Sequence, residues 1–290
     1  MRAFRTQLGI MLQKRGFQVG FTVMMLFVAY SFIKGLHGVS LDPDRNLDIS
    51  NLQAADRALM NKTNETYGIP QILRFIFPFV CVLPFSFSLF VDRSTRISDI
   101  VIIRSGKRRY YFSKLAAAFT GGFLIFFIPL IISTALTHSF YASSVIDVTD
   151  INFSEMTAGG KEFFTMRDLM LEIIAFSPVL GEVFAAFLLS VYSGACAVFA
   201  LSLSCFIRRF SVLIFVPVFL LCKLFELGES MIKVDHGYMY LRIDPLKFTV
   251  ISTDNPIFGR AYWIPAAEIA VLIAVSAGIM LFASRRDQLQ

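Results

Sequence analysis

The feature that most limits the fold is a series of apolar runs: Phe17 to Ile33, Ile72 to Val91, Leu115 to Thr134, Val183 to Phe206, Ser211 to Phe225 and Trp263 to Ser284. A helix rises about 1.5 Å per residue, so roughly 20 apolar residues cross the ~30 Å hydrocarbon layer of a bilayer. In that layer every backbone N–H and C=O must be satisfied within the segment, which selects helices. The expected fold is therefore an all-α integral membrane protein with six transmembrane helices. The fifth run is the shortest: Arg208 and Arg209 precede it, and the Lys223 ammonium has to snorkel to the far interface. Composition agrees, since 56% of the 290 residues are hydrophobic and only 17% are charged.

Lys and Arg near the run ends set the orientation. One side carries Arg2, Arg5, Lys14 and Arg15, then Arg93, Arg96, Arg104, Lys107, Arg108, Arg109 and Lys114, and finally Arg208, Arg209, Arg285 and Arg286. The other side holds most of the acid, including Asp42, Asp44, Asp48, Asp147, Asp150, Glu155, Asp235 and Asp244. The positive-inside rule places the first set in the cytoplasm, together with both termini, in a multi-pass protein of a plasma membrane of bacterial type. The formal net charge of +6 thus reads as membrane topology and not as a nucleic-acid surface, because the bases flank apolar runs. The first run lacks a small-residue cleavage site, so it is expected to remain as a helix.

This gives a division into a cytoplasmic interfacial helix over 1–16 and a single six-helix domain over 17–290. Within that domain lie an inner loop at 92–114 and extracytoplasmic segments at 37–71, 138–181 and 227–262. In the first segment Phe4, Leu8, Met11 and Leu12 recur at helical spacing opposite Arg2, Arg5, Gln13 and Lys14. That pattern suits a helix lying on membrane lipid, either as a brace for a moving bundle or as a simple anchor.

The inner loop is the most informative stretch. Ile97, Ile100, Val101 and Arg104 fall at i, i+3, i+4 and i+7; Ser94 can cap the start, and Ser105-Gly106 supplies a stop. A short helix with one apolar face and a basic end is suited to a groove on a soluble partner or to anionic lipid. The run from Asp92 to Leu115 resembles the membrane subunits of type-2 ATP-binding-cassette (ABC) exporters, whose third span is entered by the pattern R-x-x-[KR]-x-x-Y-x-x-x-K. Arg104, Lys107, Tyr110 and Lys114 stand at those positions. The six-run count, the inward termini and the N-terminal helix are similar to the same family.

The resemblance implies a permease subunit paired with a second copy or a homologue, its loop docking into a cytoplasmic ABC ATPase. By the same resemblance Arg96, Ile97, Asp99, Ile100, Val101 and Arg104 form the ATPase-coupling face, while Lys107, Arg108, Arg109, Tyr110 and Lys114 anchor it at the membrane surface. The long polar segments after the first and third runs depart from many relatives, and the segment after the fifth lacks a pair of short apolar re-entrant helices. The substrate is left open by those departures. The reading from another class is a non-transporting sensor, or a bacteriocin or peptide self-immunity protein, whose outer segments bind a ligand.

Residues for chemistry within the chain are sparse. A phosphate-cradling loop needs G-x-x-x-x-G-K-[ST], and Gly106-Lys107 lacks both the first glycine and the hydroxyl. The chain is therefore expected not to be an enzyme and to carry no cofactor, with ATP and Mg held by the partner. His37, His138 and His236 form no zinc-type pair, so no metal site is expected. Cys81, Cys196, Cys205 and Cys222 lie in apolar runs without C-x-x-C spacing and read as packing thiols.

Ionisable groups inside apolar runs carry a functional expectation. Glu268 lies five residues beyond Trp263, about 7–8 Å from the outer interface. It either lines a translocation path, pairs with Lys223 or Arg74, or is solvated by the outer segments. Glu182 opens the fourth run and is a second path candidate. Pro78, Pro84, Pro129 and Pro217 are expected to bend or loosen their helices.

Overall fold

The computed structural model describes residues 2–40, 69–84, 88–94, 102–103, 106–140, 178–206, 214–231, 246 and 263–286. Most of the outer segments 37–71, 138–181 and 227–262, and the loop residues 95–101, 104 and 105, lie outside the described residues. The described residues are helical, without strands. In chain order the helices are α1 (Arg2–Gln13), α2 (Arg15–Ser40), α3 (Ile69–Val82), α4 (Ser88–Ser94), α5 (Lys107–Phe140), α6 (Pro178–Leu203), α7 (Phe215–Met231) and α8 (Trp263–Arg286).

Among the described residues four stretches are long and apolar enough to cross a membrane: Arg15–Ile33, Lys107–Leu136, Val179–Leu203 and Ala266–Ala283. Helices of this length and composition are those of a membrane protein. The other two expected runs form no single helix of spanning length among the described residues. Ile72 to Val91 is divided between α3 and α4, and α7 has 17 residues. Pro84 accounts for the division, because it has no N–H to offer the carbonyl of Val80. Leu83 donates to that carbonyl instead, at 3.3 Å, and closes the helix. Pro78, by contrast, stays inside α3, Pro129 stays inside α5, and Pro217 sits in the first turn of α7, where its missing N–H costs nothing.

α1 and α2 are joined by a bend at Lys14, whose N–H donates to the Met11 carbonyl at 3.1 Å. α1 packs mainly on α5. Gln7 and Met11 form its buried face, Phe4 and Leu8 are half-buried, and Leu12 is exposed. Leu12 was grouped by spacing with the apolar face; the contact with α5 instead selects the face that contains Gln7.

α5 and α6 make the most extensive helix pair, and α6 also packs on α8 and α3. One core gathers Met24 of α2, Phe77, Val80 and Cys81 of α3, Phe126 of α5, Tyr192 and Cys196 of α6, Val218 and Cys222 of α7, and Leu272 of α8. Phe77 is its hub: its ring stacks on Tyr192 at 5.4 Å and meets Phe126 at 5.0 Å. Leu246, from the segment between α7 and α8, is buried against the same core. A second core joins Met11, Leu89, Tyr110, Tyr111, Leu115, Val198, Leu201, Cys205 and Met280. All four cysteines are free and buried. Large apolar side chains such as Val271, Ile273, Val275 and Phe282 point outward from α8, as a lipid-facing helix requires.

Candidate functional site: an ion-paired knot at the root of the inner loop

Ser88 and Asp92 are four residues apart on α4, and Tyr110 and Lys114 are four apart on α5. Each pair therefore projects from one face of its own helix. The two faces meet. Lys114 forms an ion pair with Asp92 Oδ2, and Tyr110 Oη donates to the same oxygen at 2.8 Å. Lys114 Nζ also donates to Ser88 Oγ at 3.3 Å and lies 5.1 Å from the centre of the Tyr110 ring. The Lys114 side chain is fully buried and Asp92 is 17% exposed.

A third element feels the charge of the same carboxylate. Burial at the bend between α1 and α2 lowers the Lys14 ammonium from its ordinary pKa, and the Asp92 charge opposes that shift. Asp92 is thus ion-paired with Lys114 and exerts its charge on Lys14 as well, while the two ammonium groups oppose one another. The ion pair and the two hydrogen bonds tie α4 to α5 at one point, beside the α1–α2 bend. Its chemistry is that of a latch: a desolvated ion pair is strong while both partners are present and costly once either is removed.

The loop re-enters α5 through Gly106, which has φ 80° and donates its N–H to the Ile102 carbonyl at 2.9 Å. This left-handed cap is the stop that the Ser105-Gly106 pair announces in the sequence. The next turn begins with Tyr110 N–H donating to Gly106 O at 3.1 Å. The backbone that ends the loop thereby fixes the height at which Tyr110 and Lys114 leave α5.

Close packing supports the knot from the adjacent turns. A Cβ on Gly121 would lie 2.9 Å from Met11 Sδ and 3.1 Å from Pro84 Cβ, and one on Gly16 would meet the Leu83 carbonyl. The turn at Leu83-Pro84 thus rests between two glycines, one at the start of α2 and one in α5.

Of the residues expected to work at this end, Lys107 is half-buried and Arg108 and Arg109 are exposed, while Tyr110 and Lys114 are buried in the knot. Arg96, Ile97, Asp99, Ile100, Val101 and Arg104 lie outside the described residues. Glu182 is buried on α6 and Glu268 is half-buried on α8, both at the start of their helices and away from the knot. Among the described residues no ion pair joins Glu268 to Lys223 or Arg74; Lys223 is paired with Glu226 at 2.5 Å. Spacing alone did not single out Ser88, Asp92 or Lys14 as members of a site. The available signal was the repeated i, i+4 spacing of Ser88 with Asp92 and of Tyr110 with Lys114 on the two sides of the loop. The chain matches no family model, no curated protein and no solved structure.

Proposed function

We propose that the chain is the permease subunit of an ATP-driven exporter of the ABC type, a six-span protein of the plasma membrane that works beside a second permease copy or homologue. The observation that carries the reading is the knot itself. The run that resembles ABC exporter permeases extends from Asp92 to Leu115, and within it Asp92 is ion-paired with Lys114, a position of the family pattern. Tyr110, another position of the pattern, bonds the same carboxylate.

A loop whose two roots are clamped transmits a push on its tip to α4 and α5 together. This is what docking of a cytoplasmic ATPase requires of a permease that has no phosphate-cradling loop of its own. Arg108 and Arg109 are exposed beside the clamp, which supports reading them as contacts for lipid phosphates. Energy then comes from ATP and Mg held in the partner, and this chain supplies the moving helices. Glu182 and Glu268, at the far ends of α6 and α8, are offered as members of the translocation path.

The experiment is co-purification. Replacing Ile97, Ile100 and Val101 together by Asp is expected to remove the ATPase from detergent-solubilised complexes and to abolish its stimulation, while the variant itself still reaches the membrane. Unchanged recovery of the ATPase would sink the proposal.

A further inference from the structure

α3 carries a cation that the knot does not use. Ile72, Phe75 and Phe79 are the exposed positions of this helix, and Phe77, Pro78, Val80 and Cys81 are buried. Arg74 lies four residues before Pro78 and seven before Cys81, on the stripe that faces the bundle and not on the one that faces outward. It stands ten residues before Pro84, about 15 Å along the helix from the turn that abuts the knot.

A guanidinium has five N–H donors and no acceptor. The Nε of Arg74 is shut off from solvent and has no hydrogen-bond partner among the described residues. No carboxylate among the described residues forms an ion pair with it: Glu226, on the neighbouring α7, is taken by Lys223, and Glu182 of α6 and Glu268 of α8 are not joined to it. A permanent cation facing the inside of an apolar bundle calls for an anion, and a half-buried guanidinium still presents part of its fork to one.

We infer that Arg74 is an oxyanion-binding point, taking a phosphate group of a ligand that enters the bundle at the end remote from the inner loop. Planar bidentate pairing is what guanidinium offers a phosphate and what a lysine would not reproduce. The phosphate can be borne by a lipid headgroup or by a water-soluble molecule, and the two are separable by experiment. The inference is independent of the export proposal: it concerns the opposite end of α3 and needs no ATPase.

The test uses the full chain, purified in detergent and stripped of lipid, with thermal unfolding followed by the fluorescence of Trp263, its one tryptophan. Three probes are titrated: phosphatidylglycerol, sn-glycerol 3-phosphate and, as a phosphate-free amphiphile, monoolein. A ligand that binds the folded state raises the unfolding temperature in proportion to its occupancy. The parent is expected to be stabilised by at least one phosphate probe and not by monoolein.

Arg74→Met is expected to lose the Arg74-dependent part of that shift while being no less stable than the parent before a probe is added. Arg74→Lys is expected to keep part of it, with apparent affinity about tenfold weaker. A response to phosphatidylglycerol alone assigns a lipid-borne phosphate, and a response to glycerol phosphate assigns a soluble one. Equal shifts in the parent and Arg74→Met, or no shift in the parent with either phosphate probe, overturn the inference. Should Arg74→Met fail to fold, the comparison is made on Arg74→Lys, where an undiminished shift overturns it.

Discussion

Asp92→Asn is expected to lower the unfolding temperature of the detergent-solubilised protein more than any other single change around the root of the 92–114 loop, at a cost of about 3–5 kcal/mol. The substitution keeps the shape of the side chain and removes its charge. Lys114, fully buried, then loses the negative charge that neutralises it, and Lys14 loses the charge that opposes its desolvation. The second half of the prediction is a rescue. Lys114→Met fills a similar volume without a charge, so Asp92→Asn combined with Lys114→Met is expected to be markedly more stable than Asp92→Asn alone.

A double-mutant cycle over these two positions is expected to give a coupling of about 3 kcal/mol. Additive effects, or an unfolding temperature unmoved by Asp92→Asn, would show that the pair is not the clamp described here. Tyr110→Phe removes one hydrogen bond to a charged acceptor and should cost about 1.5–3 kcal/mol, less than loss of the carboxylate.

The second large effect is expected at the crossing of α5 and α6. A Cβ on Gly122 would lie 2.8 Å from the Ala197 Cβ, 2.9 Å from the Ser193 carbonyl oxygen and 3.1 Å from the Gly194 Cα. A Cβ on Gly194 would lie 2.9 Å from the Phe119 ring and 3.0 Å from its carbonyl oxygen. The helices are therefore in backbone contact, sealed by the Ser193 hydroxyl donating to the Gly122 carbonyl at 2.9 Å. Lipid tails are as apolar as leucine, so close packing and interhelical hydrogen bonds, not expulsion of water, hold such a pair together.

Gly122→Ala is expected to cost about 1–3 kcal/mol by forcing these helices apart, and Gly122→Leu to abolish the monodisperse peak in size-exclusion chromatography. Gly278→Ala is the matched control: nothing lies within 4 Å of its added Cβ, and alanine favours a helix over glycine by about 0.5–1 kcal/mol. If Gly122→Ala and Gly278→Ala behave alike, the close crossing is wrong.

What could be read without a structure divides along physical lines. Helix identity in apolar runs was legible because hydrocarbon admits no unsatisfied backbone, and the runs over α2, α5, α6 and α8 are long enough for length alone to decide. The run Ile72 to Val91 was read as one span because hydropathy does not register the lost donor of Pro84. α3 breaks there, whereas Pro78, in the same apolar run, is absorbed. Proline inside a membrane helix is tolerated or not according to what its neighbours supply, and here the Leu83-Pro84 turn has a seat between Gly16 and Gly121. No count of apolar residues reveals that seat.

The stretch from Lys107 to Lys114 is divided by the same kind of fact. Tyr110 and Lys114 follow Lys107, Arg108 and Arg109 in one basic stretch, and charge alone gives all five the same place at the membrane surface. The helix phase of α5 separates them, leaving Arg108 and Arg109 exposed and turning Tyr110 and Lys114 inward to Asp92. By itself the sequence determined the solvent this chain is built for, the helical nature of its long apolar segments and the glycine stop before α5, because each follows from local composition or from the conformational freedom of a single residue. Only the tertiary structure decided that the 92–114 loop is clamped at its roots and that Arg74 faces the bundle without a carboxylate partner among the described residues. Both depend on which faces of separate helices meet, and in an apolar bundle that is settled by small-residue crossings and buried charge pairs that no single segment contains.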